Sequence, residues 1–327
     1  MTGFSANSFI RGCAAWLAGA LLAVFLANPV TAGARSDLVR PDRSDYLNLA
    51  RSGWVFEFNT RRMRRPADLP PIRFDSAEVA TGEICLFGDP PKALSRQIIH
   101  SFTELLREVY ERRLAVTFAG REIENCPPHQ RVYIRLYSGA PPYARLNADL
   151  RLLDREFDIR FPPNWNEPVR SPAQANGFFG RRGASAHLLI SQPPTDEMSD
   201  LQRDYYTSIL VEELFQVVSF GADILKADRE SPFLSKLQEA PVNLRYVPWN
   251  SERYMTGLLR SNPKGLCGFD VFMLHALAAA DLESANSAEL LDFIETHFDD
   301  LRARTERTLR HAAYAPMIDS SCAPLPD

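Results

Sequence analysis

Glu212-Glu213-Leu214-Phe215-Gln216 is the stretch whose residue types and spacing could do chemistry. It keeps the frame H-E-x-x-H, in which two histidines one helical turn apart grip zinc and the glutamate between them polarises the zinc-bound water. The glutamate survives as Glu213, and Glu212 and Gln216 stand where the histidines would be. Glutamine is a poor zinc ligand, and a glutamate with a glutamine is far from the nitrogen-rich set that zinc takes. Zinc hydrolysis is therefore disfavoured and no cofactor is expected. A hard cation on Glu212, Gln216 and Asp223 remains conceivable, although oxygen-ligand sites usually need more donors than this stretch offers. The six histidines supply no replacement. His100 falls on a predicted helix, His129 in a proline turn and His187 at a strand start, while His275, His297 and His311 fall on later helices. None is paired at metal-ligand spacing.

The element that must position these groups is a helix running through Tyr205 to Val218. Side chains on it step round by about 100° per residue. Tyr206, Ile209, Leu210, Val217 and Phe220 then share one broad arc with Glu213 in its middle, and Glu212 and Gln216 stack along the edge of that arc. A glutamate in an apolar face is expensive to bury, so it must be protonated, paired or turned to a cavity. One reading is a core glutamate hydrogen-bonded to a strand or an arginine. The other is a cleft carboxylate in the place of a general base, which makes Glu213 the candidate catalytic residue, with Glu212, Gln216 and Asp223 lining the cleft.

Before this helix the periodicity predicts a strand over 84–87, a long amphipathic helix from Leu94 to about Arg113, and strands over 114–118 and 132–137. Residues 147–160 read as a short helix and a strand. Residues 161–183, rich in proline and glycine, read as a long surface loop that could rim a cleft, and 186–191 as a strand. After it the chain reads as mostly helical, with segments at 231–239, 249–260 and 269–282. A long helix is expected to be capped by Asn286 and Glu289 and to run to about Arg310. Met255 reads as a core residue.

The chain has 327 residues and a net charge of −4, which gives no electrostatic reason to expect nucleic acid. Only four of its 37 basic residues are lysines: Lys92, Lys226, Lys236 and Lys264. Arg61 to Arg65 form a short basic cluster that reads as a solvated turn. Residues 1–34 have the form of a secretory signal: a short n-region, an apolar run from Ala14 to Ala27, and Ala32-Gly33-Ala34. No membrane span is expected after its cleavage, and the mature protein should be exported, periplasmic or secreted. Cys85, Cys126, Cys267 and Cys322 remain, with no C-x-x-C spacing. Four cysteines in an oxidising compartment suggest two disulfides in one of three connectivities, and the early and late pairs favour Cys85–Cys126 and Cys267–Cys322. Residues 35–80 read as an extended lead and 81–327 as one domain.

From about Ile209 to Leu282 the chain resembles a family of exported bacterial proteins of unknown function with a zincin-like, metallopeptidase-like fold. That family carries Glu-Glu-Leu-x-Gln where H-E-x-x-H would stand, and Glu212, Glu213, Leu214 and Gln216 match it. Of the family's following glycine and Asn-Asp pair only Asp223 carries over, since Ser219 and Ala222 differ. Asp270, opening a leucine-rich helix, fits a later family aspartate, whereas Ala278-Ala279 replaces a usual Tyr-Asp. The resemblance implies an α+β fold, with an N-terminal helix and mixed sheet packed on the motif helix and a mostly helical C-terminal part. The function expected is a degenerate, non-catalytic binding or scaffold module for an envelope protein or peptide. The alternative is an atypical metal-dependent hydrolase with Glu213 as base.

Overall fold

Residues of the three central strands alternate between two buried faces rather than between core and solvent. The computed structural model describes residues 40–55 and 76–327, apart from residues 129, 283 and 327. The signal-like segment, the basic cluster and His129 lie outside the described residues. Strands β1 (Ile84–Gly88), β2 (Val116–Phe118), β3 (Val132–Tyr137), β4 (Ala173–Gly180) and β5 (Gly183–Ser191) form one sheet in the order β2-β1-β3-β5-β4. All neighbours are parallel except β4, which runs antiparallel to β5 along the edge. Ile84, Leu86, Ile134 and Leu188 point into the main core, and Cys85, Phe87, Tyr133 and Leu189 into a second core. Such two-sided burial is what parallel strands require.

Helix α1 (Arg43–Gly53), the short α2 (Ser76–Ala80), α3 (Ala93–Tyr110), α5 (Asp200–Ser219), α6 (Glu252–Ser261), α7 (Gly268–Ala279) and α8 (Glu289–Leu309) serve the main core. Helix α4 (Tyr143–Phe157) covers the other face with Leu146, Leu150, Leu153 and Phe157. Beneath that face Arg135 on β3 grips Asp149 on α4 with both ends of its fork (2.5 and 2.7 Å), and His187 on β5 meets the same carboxylate at 3.2 Å. Burial opposes ionisation of Asp149, but the hydrogen bonds from Arg135 and His187 outweigh it and hold the carboxyl below its ordinary range. His187 is thus committed to a structural network.

The segment expected to be an extended lead carries α1 and α2 instead. An Asp42–Asp45 capping box starts α1, and its Tyr46, Leu49 and Ala50 enter the main core with Trp54. The fully buried Trp54 indole donates to the Ser219 carbonyl (2.9 Å), tying the end of α1 to the end of α5. Burying a side chain of this kind stabilises by about 1.5–3 kcal/mol or more.

Several local expectations need correction. The proline- and glycine-rich stretch 161–183 contains β4 and the start of β5, not one long loop. Most of β4 is Ala, Gln, Asn and Gly, poor strand formers, so pairing with β5 and packing on α5 decide its state. At Gly180 a Cβ would sit 2.0 Å from the Phe157 carbonyl oxygen, so the hairpin admits only glycine there. Residues 147–157 belong to α4, and 158–160 form no strand. Residues 231–239 are not helical; they are loop ending in β7 (Gln238–Glu239), which pairs in parallel with β6 (Ile224–Leu225). The N-cap of α8 is Ala288, not Asn286, and the helix is broken at His297. Helix α3 stops at Tyr110 because Glu111 turns left-handed (φ 53°). The cysteines pair as the early and late halves suggested, Cys85–Cys126 and Cys267–Cys322. Among the described residues no helix is long and apolar enough to cross a membrane.

Candidate functional site

The motif helix α5 opens on a capping box of Ser199 and Gln202 and is buried nearly all round, not on one arc. Its C-cap, Phe220, is left-handed (φ 53°), and the chain then passes Asp223 into β6. Residues 235–239 return alongside, so the two-stranded ribbon sets Asp223 and Glu239 opposite Glu212. Carboxylate oxygens of these three residues lie within 4.8 Å of one another. They share a cavity of about 420 Å³ with Asn262 and Tyr254, and Leu225 and Val242 form an apolar part of its wall. The latter two are 73% and 46% exposed, which marks the mouth of the cavity as sticky.

Under this mouth lies Lys236, fully buried. Its ammonium donates to Ser208 Oγ (2.8 Å), to the Pro263 carbonyl (2.6 Å) and to Asn262 Oδ1, and it faces Glu212 Oε2 at 3.2 Å. Asn262 Nδ2 donates to the same Glu212 oxygen (2.9 Å). Desolvation lowers the lysine from its ordinary value while Glu212 raises it, and the four acceptors around it demand the charged form. The segment is fixed from behind by Asp270, also fully buried, which accepts from Ser235 Oγ (2.6 Å), Lys236 N (2.8 Å) and Cys267 N (2.6 Å). Burial lifts the Asp270 carboxyl to about 7 against these three donors.

The four residues singled out in the sequence are thus placed differently. Glu212 pairs with Lys236 and Asn262. Gln216, half-buried, donates to Asp223. Glu212 and Asp223 come together with Glu239, while Gln216 touches the group only through Asp223. Glu213 does not join them: it accepts the Ala175 backbone N–H of edge strand β4, and its carboxyl is pushed well above the usual range by burial and then by Glu212 and Asp223. A little of the Glu213 side chain still meets solvent, but the protein packed about its carboxyl governs ionisation. Asp223 and Glu239 are exposed as residues, but the protein crowded about their carboxyl groups, then Glu212 for the first and Asp223 and Glu212 for the second, lifts them to about 6 and about 7. No described histidine takes part in this cluster. His275, for example, is held by Thr308 (3.0 Å) and pushed down to about 4 by burial.

Sequence reasoning missed Lys236, Glu239 and Asn262, which lie in a turn, a two-residue strand and a helix C-cap, all too short for periodicity to carry a signal. The scarcity of lysine was the available clue for Lys236. The donor set does not fit zinc: an ammonium faces the carboxylate at the first ligand position, and the second ligand position is an amide engaged with Asp223. The three carboxylates could hold a hard cation, with Lys236 already offsetting part of their charge. Comparison with protein families, with curated proteins and with solved structures finds no match for the chain.

Proposed function

We propose that this chain is an exported, non-catalytic, zincin-like protein whose cavity at α5 binds a segment of an envelope protein or peptide. One observation carries the reading. The position of the first zinc ligand is taken by Glu212, and the cation beside it is the protein's own Lys236 at 3.2 Å. An ammonium cannot activate water as a Lewis acid, so the frame keeps its electrostatic shape without that chemistry. The order of long helix α3, mixed sheet, motif helix and helical C-terminal part supports the zincin-like assignment. Two disulfides suit an oxidising compartment.

The partner chemistry follows from the walls. Three carboxylates against one ammonium favour a cationic side chain, and Leu225 and Val242 favour apolar flanks, so a basic, partly apolar peptide fits best. The test is metal analysis of the purified mature protein after zinc loading and desalting, with binding of a lysine-containing peptide library in parallel. Retained zinc well below one equivalent, and peptide binding weakened by Glu239→Gln, are the expected results. Stoichiometric zinc lost on Glu212→Gln would sink the proposal.

A second reading, a metal-dependent hydrolase with Glu213 as base, is favoured by the convergence of the three carboxylates. Peptidase activity abolished both by chelator and by Glu213→Ala would establish it.

A further inference from the structure

The carboxylate cavity has a neighbour of opposite charge. Helix α6 turns Tyr254, Leu258 and Ser261 to the cavity, and Arg253, Gly257 and Arg260 to a groove of about 540 Å³ beside it. Residues three and four apart share a helix face, so these sets form two stripes about 100° apart. Val242 and Leu244 line both spaces and make the wall between them. Gly257 seats that wall, since a Cβ there would lie 2.6 Å from Leu244 Cδ2. The exposed Val242 gives the wall an apolar crest.

The two sides call for different guests. In the cavity three carboxylates outnumber the one ammonium of Lys236, which the protein supplies itself. In the groove the charged residues are Arg253, Arg260 and Glu252, an excess of one positive charge. Both arginines are exposed, and neither has an ion-pair or hydrogen-bond partner among the described residues. A guanidinium fork matches a carboxylate through two parallel hydrogen bonds. A single carboxylate suits this balance better than a doubly charged phosphate, which Glu252 and the three carboxylates across the wall would repel. A purely basic peptide would leave the arginines unused, and a purely acidic one would be turned away from the cavity.

We propose that the peptide bound here is amphoteric: a basic side chain enters the carboxylate cavity, the chain passes over Val242, and a carboxylate is held by Arg253 and Arg260. That carboxylate comes from an aspartate or glutamate side chain or from the peptide's own C-terminus. This inference rests on the reading of the carboxylate cavity given above. It narrows the partner to segments whose basic and acidic groups are near neighbours in sequence, because a single strip of chain separates the two spaces. Exposed pairs of this kind are individually weak, so the arginines set selectivity and orientation while the cavity supplies the anchor.

End-blocked peptides with one lysine flanked by leucines, and glutamate or glutamine one to three residues to either side, serve as probes of the full mature protein by calorimetry. A second set ends in a free carboxylate or an amide at the same positions, which separates a chain end from a side chain. In at least one placement the carboxylate form should bind about 3–10-fold tighter than its neutral counterpart at low salt. That ratio should fall toward one in about 1 M salt, where the Debye length is about 3 Å. The double variant Arg253→Gln/Arg260→Gln should also bring it toward one, in a protein whose circular dichroism is unaltered. Equal binding of the paired peptides at every placement, or a ratio that survives loss of both arginines, would overturn the amphoteric partner and leave the reading of the cavity standing. Absence of binding by every peptide would overturn both.

Discussion

Replacing Lys236 by methionine keeps the hydrocarbon stem and removes only the ammonium. In that variant the single Ser208 hydroxyl proton reaches either Asn262 Oδ1 (3.2 Å) or the Pro263 carbonyl (3.1 Å), so one of these two acceptors loses a donor. Asn262 Nδ2 still donates to Glu212. The larger loss falls on Glu212, whose side chain is 13% exposed and loses its counter-charge. Orphaning one member of a buried ion pair costs about 3–5 kcal/mol, and the retained Asn262 bond and residual exposure place this case near 3. For a domain of this size that lowers the melting midpoint by about 5 °C. Urea unfolding followed by circular dichroism would measure it, together with Glu212→Gln and the double variant. The two changes should be non-additive by about 1.5 kcal/mol or more, because the double variant leaves no unpaired charge. A single-variant cost below about 1 kcal/mol, or additivity within about 0.5 kcal/mol, would refute an internal cation satisfying the motif.

Stability should fall as pH rises from about 4 to about 7, chiefly through the fully buried Asp270 (raised to about 7) and less through the exposed Asp223 (about 6) and Glu239 (about 7), because a carboxyl whose folded pKa is raised contributes stability that is complete below its unfolded value and is lost as pH climbs through the folded one. Melting curves across that window check the sign, and a midpoint that rises with pH would contradict it. Binding of a basic peptide should strengthen over the same window as Asp223 and Glu239 ionise, read by calorimetry. Opening Cys85–Cys126 or Cys267–Cys322, which close sequence separations of 41 and 55 residues, should each cost about 4 kcal/mol in urea titrations of the corresponding serine variants. Tyr205→Phe, which deletes a buried hydroxyl without a partner, should leave the unliganded protein unchanged or stabilise it by about 1 kcal/mol, measured by thermal unfolding.

Much of the scaffold was legible because its signals are local. The apolar spacing in α3, the branched residues of β1 and β3 and the Asn262-Pro263 break each depend on neighbours in the chain. Strand β4 was illegible for the opposite reason: its Ala, Gln, Asn and Gly residues have no strand preference of their own, and the pairing partner that orders them is the other arm of the hairpin. Helix α5 misled in a different way. Its apolar arc was real in the periodicity, yet neighbours surround the helix, so position on a wheel did not predict which carboxylate faces the cavity. Glu212 does, and Glu213, the retained motif residue, turns to the β4 backbone instead. Lys236 and Glu239 lie in the non-helical stretch after β6, and only the folded ribbon brings them to Glu212.

Cys267 takes part in two structures at once. It is one half of the bond that fastens the C-terminal tail, and its backbone N–H is one of the three donors that hold Asp270. Asp270 in turn fixes the backbone of Lys236. Covalent attachment of the tail and placement of the internal cation therefore share a single hinge point. A chain retained where thiols stay reduced would carry the same residues with a loosened anchor beneath its cavity.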